Sequence, residues 1–315
     1  GLAHVTTPYV AFIDTDISIE AEKISRLAAY LHDERVALVA PRITTDVGST
    51  FIAEFESMRS PLDLGPHSAL VRPVSRVSYV PSAVLVARTS TIKNVNGFNE
   101  SMRVGEDVDL VWRVVESGNW CRYVPSIQCN HAPRDSYVAL LRQRFDYGSS
   151  AAQLDARHPY SASPFRAHIL FTIPAAALLM GYLYFALLAV FPAIAFVLFS
   201  LRRATIPMNT KVLIARKGLS SSTTLLARSV TRAWWPFFFM ASFVSVRLGA
   251  MFTFSVLVPP AWAILRRKPR YTLRYLGTHI LDNFAYGIGV WAGALRTRKL
   301  RCMLPVITVR RSASR

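Results

Sequence analysis

Pro8-Tyr9-Val10-Ala11-Phe12-Ile13-Asp14-Thr15-Asp16 is the stretch from which the rest of this chain is read. An uncharged apolar run ends abruptly on two carboxylates. A continuous run of that kind suits a strand buried on both faces. Carboxylates at the end of a buried strand cost free energy unless something compensates their charge. A divalent cation carrying a nucleotide diphosphate would do so, because Mg²⁺ and Mn²⁺ take oxygen ligands and bridge protein carboxylates to diphosphate oxygens. The same Asp14-x-Asp16 spacing also fits a solvated Asx turn after a strand.

Downstream, strands and helices alternate. Residues 18–32 place Ile24, Leu27, Ala28 and Leu31 at helical spacing. Val36 to Val39 reads as a strand ended by Pro41, and residues 45–75 as a long loop broken by Pro61, Gly65, Pro66 and Pro73. Val77 to Val86 is strand-like. A short helix over 89–95 stops at Asn96-Gly97. Residues 107–117 put Val111, Val114 and Val115 on one helical face, with Gly118 just beyond. Tyr123-Val124 and Ile127 sit in short strands, and 136–154 reads as a helix interrupted near Gly148. The alternation predicts an α/β fold with a mainly parallel sheet.

Two further clusters could carry chemistry. Gly105-Glu106-Asp107-Val108-Asp109 opens the 107–117 helix. A carboxylate at a helix N-terminus is stabilised as the anion. It is either a capping residue or, beside an acceptor hydroxyl, a general base. His131 ends a strand, and its imidazole is either a cation ligand or an ordinary hydrogen-bonding group. Arg142 and Arg144 lie on the following helix, where guanidinium groups could hold a diphosphate or face solvent or membrane.

Charge divides the chain in two. Residues 1–155 hold 15 Lys/Arg and 18 Asp/Glu, whereas residues 156–315 hold 22 Lys/Arg and one acid, Asp282. The basic half also carries the long apolar runs, so an anionic membrane is favoured over nucleic acid as its partner. Ile169 to Leu201 has no charge and contains Pro174 and Pro192. Ala233 to Leu265 is interrupted by Arg247 and Pro259-Pro260. Basic segments at 202–232 and 266–274, with a basic C-terminal tail, suggest that each run returns to the side it left. We expect hairpins turning near Pro192 and Pro259-Pro260, Arg247 in a hairpin turn or snorkelling, and an interfacial helix over 276–295. Cys121, Cys129 and Cys302 lack metal or disulfide spacing and read as reduced thiols.

Order and spacing together carry a resemblance. Asp14-x-Asp16, Gly97-Phe98-Asn99-Glu100, Gly105-Glu106-Asp107-x-Asp109-Leu110-x-x-Arg113 and a strand ending at His131 resemble family 2 glycosyltransferases over about residues 1–155. Ser60-Pro61-Leu62-Asp63-Leu64-Gly65, Tyr79-Val80-Pro81-Ser82-Ala83, Arg144-Phe145-x-Tyr147-Gly148-Ser149 and Ala285-Tyr286-Gly287-x-Gly289-Val290-Trp291-Ala292-Gly293 are similar to the mycofactocin-system subgroup.

The resemblance implies part of a GT-A domain, Rossmann-like, over 1–160 and a membrane-associated helical region over 161–315. Strands and helices that grip the nucleobase would precede Gly1. It implies a cytosol-facing enzyme at the cell membrane that moves glucose, with inversion, from a UDP-sugar to a peptide-derived redox cofactor or its precursor. In that reading Asp107 is the base. Asp14, Asp16 and Arg144 bind the donor, Asp16 and His131 hold Mg²⁺ or Mn²⁺, and Ser82, Ala83 and Glu106 face the acceptor side. Leu141 and Phe145 depart from the Gln/Arg-x-x-Arg-Trp signature of processive members. Two rivals stand beside this reading: a transferase building lipid-linked or extracellular polysaccharide, and a non-catalytic membrane-bound partner.

Overall fold

The computed structural model describes residues 1–309 apart from Val47, Val74 and Asp135, so the last residues of the basic tail lie outside it. The chain divides into two compact units. The first comprises Gly1–Gln143 and Ala156–Ser161, and the second Arg144–Asp155 and Ala162–Arg315. The change of unit therefore falls inside a helix near residue 143, not at a clean boundary at 160.

The first unit is a mixed α/β sheet. Its strands are β1 (Tyr9–Ile13), β2 (Ile17–Ser18), β3 (Val36–Thr45), β4 (Ala69–Val71), β5 (Val84–Arg88) and β6 (Trp120–His131), in the order β1-β5-β3-β6-β2, with β4 also on β6. Among these pairings β3–β6 is parallel and the others are antiparallel. The mainly parallel sheet expected from the apolar runs is thus corrected. Such runs report burial on both faces, and an antiparallel strand covered by helices reads the same way. β1 is an edge strand, with Ala11 and Ile13 exposed, so the opening stretch is not buried on both faces.

Helices α1 (Ala21–Ala28), α2 (Phe51–Arg59), α3 (Thr89–Asn94) and α4 (Glu106–Glu116) complete this layer, with the first part of α5 (Tyr137–Ser149). Leu27, Leu31, Val39, Ile43 and Val84 pack into one core. Two expectations change. β3 runs through Pro41, which sits at an irregularity in the β3–β6 register and so removes no needed ladder bond. The loop over 45–75 contains α2, whose Thr50 side chain accepts a hydrogen bond from the Ala53 N–H at 3.2 Å. Its buried Glu54 and Glu56 disguise the apolar face. Asn96 and Gly97 both adopt positive φ after α3, as the turn signal requires.

The second unit is helical: the end of α5, α6 (Ala151–Arg157, of which Ala156 and Arg157 belong to the first unit), α7 (Ile169–Leu179), α8 (Leu183–Ser200), α9 (Met208–Arg232), α10 (Trp235–Ser242), α11 (Val246–Arg267) and α12 (Thr272–Thr297), with a small parallel pair β7 (Arg166–His168) and β8 (Val306–Thr308). Hairpins occur, but their turns lie at Gly181, with φ +78°, and at 243–245. Pro174, Pro192, Pro259 and Pro260 are inside helices. Apolar helices tolerate proline where neighbours re-satisfy the freed carbonyls. The Arg247 guanidinium lies over the Tyr182 ring at 4.6 Å, beside the first turn. Among the described residues, α8 and α11 are long and apolar enough to cross a membrane.

The expected helix over 276–295 forms as α12, with Leu281, Ile288 and Leu295 exposed. α12 is packed, with Asp282, Asn283, Gly287, Gly289 and Gly293 buried. A Cβ at Gly289 would overlap the Phe145 carbonyl, and one at Gly293 the Ser149 carbonyl. The four-residue glycine spacing lets the α12 and α5 backbones touch. Asp282 pairs with the Arg144 Nε, and Arg232 donates to Asn283 at 2.9 Å. Buried charges persist when paired in this way. Cys121, Cys129 and Cys302 are buried and free.

Candidate active site

Local pairing brings the distant acidic stretches together. The Asp14 N–H donates to the Ala83 carbonyl at 3.0 Å, carrying the β1–β5 ladder past the end of β1. The Asp14 carbonyl then accepts from the Ile17 N–H, so Thr15-Asp16 forms a tight turn. β2 pairs with the end of β6 with Ile17 opposite His131. The Ala132 N–H donates to the Asp16 carbonyl at 3.1 Å, and Asp16 Oδ2 lies 3.0 Å from His131 Nε2. The Asp16 side chain is half exposed, while His131 is buried. His131 Nδ1 and the facing Thr45 Oγ1, partners in β3–β6 register, are buried with no hydrogen-bond partner.

Asp14 connects this pair to α4. Burial raises its pKa first, the Asp16 charge raises it further, and His131 opposes both. Glu106, in the first turn of α4, is raised by burial and then by Asp14, against its own backbone hydrogen bond. Its Oε2 is buried with no hydrogen-bond partner. Asp107 is pushed up to about 6, chiefly by burial and next by Glu106. The N–H groups of Val108, at 2.7 Å, and Ser82 hold it in place and limit the rise. Ser82, Asp107, Glu106, Asp14, Asp16 and His131 therefore form one connected acidic constellation within the first unit. A carboxyl that titrates near 6 is matched to accepting a proton near neutrality.

Asp16 and His131 also line a cavity of about 370 Å³ with Ala132, Pro133, Arg134, Ser136 and Ala139. Arg134 is the cation of this cleft. Its N–H donates to Glu56 Oε2 at 2.7 Å, and its guanidinium lies 3.9 Å from Glu56. A single arginine in the loop after His131 carries no pattern that marks it in the sequence.

Two of the expected site residues stand differently. Arg144 is buried in the second unit and paired with Asp282. The Ala83 side chain belongs to the hydrophobic core, and its contribution to the site is its carbonyl. Among the described residues no three His, Cys, Asp or Glu side chains are grouped to hold a metal. One carboxylate and one imidazole make a donor set that suits Mg²⁺ or Mn²⁺ only with oxygen ligands from elsewhere.

The motif spacing has a physical basis. The buried Asp109 holds Arg113 at 2.8 Å, and Arg113 in turn donates to the carbonyls of Val95 and, at 2.7 Å, Gly97. Phe98 packs edge-on to Phe12 of β1 at 5.1 Å. The Gly97-Phe98 turn, α4 and β1 are thus tied into one support.

The α/β unit thus ends its edge strand at Asp14-x-Asp16, with the acids at the start of α4 beside it. Residues 9–201 match the family described as glycosyl transferase family group 2, and the chain belongs to that family. It is similar to the pre-mycofactocin glycosyltransferases of two Mycobacterium tuberculosis strains, CDC 1551 / Oshkosh and ATCC 25618 / H37Rv. Identity to each is 35% over 323 aligned residues, covering 98% of this chain and 68% of the relative.

Proposed function

We propose that this chain transfers a sugar, glucose by our reading, from a UDP-sugar to a peptide-derived mycofactocin precursor, with inversion at the anomeric carbon. The observation that carries the proposal is the half-buried Asp107, pushed up to about 6, in one constellation with Asp14, Asp16 and His131. The similarity to pre-mycofactocin glycosyltransferases supports the acceptor.

Each residue has a task in this reading. The orphaned Oε2 of Glu106 accepts a hydrogen bond from an acceptor hydroxyl and orients it. Asp107 takes the proton of the attacking hydroxyl as that oxygen bonds to the anomeric carbon and the bond to the diphosphate breaks. Ser82, through its N–H, keeps the carboxylate aimed. Arg134, in the cleft beside Asp16 and His131, faces the diphosphate as charge develops on it. Asp16 and His131 would hold Mg²⁺ or Mn²⁺, which when bound neutralises the leaving diphosphate. With two side-chain ligands on offer, the cation would arrive with the donor and not reside on the chain.

The test is transfer of label from UDP-[¹⁴C]glucose by the full chain. Asp107→Asn should lower turnover by about 10²–10⁴-fold while UDP binding persists. Undiminished turnover in that variant would remove Asp107 as the base. The apolar, basic second unit favours a second acceptor class, a lipid-linked saccharide. Label partitioning into solvent-extractable lipid instead of a peptide-derived product would select it. In either case we propose that α8 and α11 associate with the cytoplasmic face of an anionic membrane.

A further inference from the structure

His158 lies between two carboxylates of α4. Its Nε2 is 3.0 Å from Asp109 Oδ1 and its Nδ1 is 2.8 Å from Glu116 Oε1. Ionised carboxylates only accept hydrogen bonds, so an imidazole can satisfy both only with a proton on each ring nitrogen. Asp109 sits in the first turn of α4 and Glu116 is its last residue, about 10 Å apart along the axis. The ring therefore straps the helix lengthwise. Its charged surroundings are those two acids, with Arg113 and Arg157 on Asp109, while the Trp112 ring meets it edge-on at 5.2 Å. Arg157 and His158 come from the short stretch Ala156–Ser161, which belongs to the first unit although the chain on both sides belongs to the second.

We propose that His158 is a positioning residue for transfer: as an imidazolium strapped between Asp109 and Glu116 it fixes the first turn of α4, and so holds the Asp107 carboxylate against Ser82. The role in transfer rests on the reading given above for Asp107; the strap itself does not. Burial alone would drive the proton off His158, but its bonds to Asp109 and Glu116 outweigh that and raise its pKa above 6.5. Burial also opposes ionisation of Asp109, but bonds from His158, Arg157 and Arg113 hold it well below the usual carboxylate range. Once the imidazolium loses its proton, one carboxylate faces a ring lone pair. The strap opens and the first turn of α4 is free to fray. Because the folded pKa of His158 is raised, the strap is complete below the ordinary value and is lost as pH climbs through the folded value.

The test is a titration of the detergent-solubilised full chain by NMR, reading His158 through ¹⁵N-labelled histidine and Asp107 through its ¹³C carboxyl. His158→Gln and Asp107→Asn give the assignments. In the wild type His158 should titrate above 6.5 and Asp107 near 6. In His158→Gln the Asp107 midpoint should fall by about one unit as its turn becomes hydrated. Should that variant fail to fold, Glu116→Gln decides. Its side chain is half exposed, it spares the His158–Asp109 contact, and it should lower both midpoints. An Asp107 midpoint unchanged in a folded variant, or a wild-type His158 titrating at or below 6.5, overturns the proposal. Wild-type protein with the expected midpoints but no transfer to any acceptor would sink the transferase reading and leave the strap standing.

Discussion

At the scale of single residues the proposed transfer rests on Asp107 and Arg134. Asp107 can act as a base only when ionised, so transfer should fall steeply as pH drops below about 6, its own folded value. A rate–pH profile flat between 5 and 7 would contradict this. Arg134 faces the cleft that Asp16 and His131 line. Arg134→Ala should raise the KM for the UDP-sugar about tenfold with the fold intact, since a guanidinium–diphosphate contact is charge-assisted. An unchanged KM would place the diphosphate elsewhere. Asp14 and Asp16 are legible in the chain because carboxylates after an apolar run are conspicuous, and Glu106 and Asp107 because they cluster at the start of a helical pattern. Arg134 was not, because one arginine in a loop has no pattern. The same limit applies to Arg144: its type suits a phosphate, and only the fold supplies Asp282 as its partner.

At the scale of elements, α12 and α5 are joined by backbone contact. Gly289→Ala puts a methyl group onto the Phe145 carbonyl, which cannot yield without moving a helix. It should destabilise the protein by about 3 kcal/mol or more. Gly277→Ala, on the same helix with nothing within 4 Å of its new Cβ, should stabilise by about 0.5–1 kcal/mol through helix propensity. Thermal denaturation of the two variants checks this, and a similar response from both would refute the close-packed crossing. The ends of α3 and α4 were readable in advance, since Asn96-Gly97 and Gly118 supply the positive φ that those ends use. Helix α2 was not, because its buried Glu54 and Glu56 break the apolar period. Proline does not end these apolar helices, and Gly181, with its positive φ, makes the first hairpin turn.

For the molecule as a whole, the division of charge sets the expected behaviour. Exposed Phe185, Phe191, Phe243, Val244 and Val246 accompany a half that holds a single acid. The full chain should float with vesicles containing phosphatidylserine, and less with purely zwitterionic ones. Salt should release part of the bound protein, because each Lys or Arg near the surface contributes about 1 kcal/mol of screened attraction. Equal flotation on both lipids at all salt concentrations would leave apolar insertion alone as the driving force. No flotation would assign the apolar faces to another partner.

By itself the chain determined the local chemistry: which strands end on acids, where helices stop, and which half is basic and apolar. These follow from neighbouring residues, whose spacing and charge act over a turn or two. Strand direction, the edge position of β1, the pairing of Arg144 with Asp282 and the meeting of His158 with α4 were decided only in three dimensions. Each joins residues dozens of positions apart, and such contacts form through burial and pairing that no local pattern records.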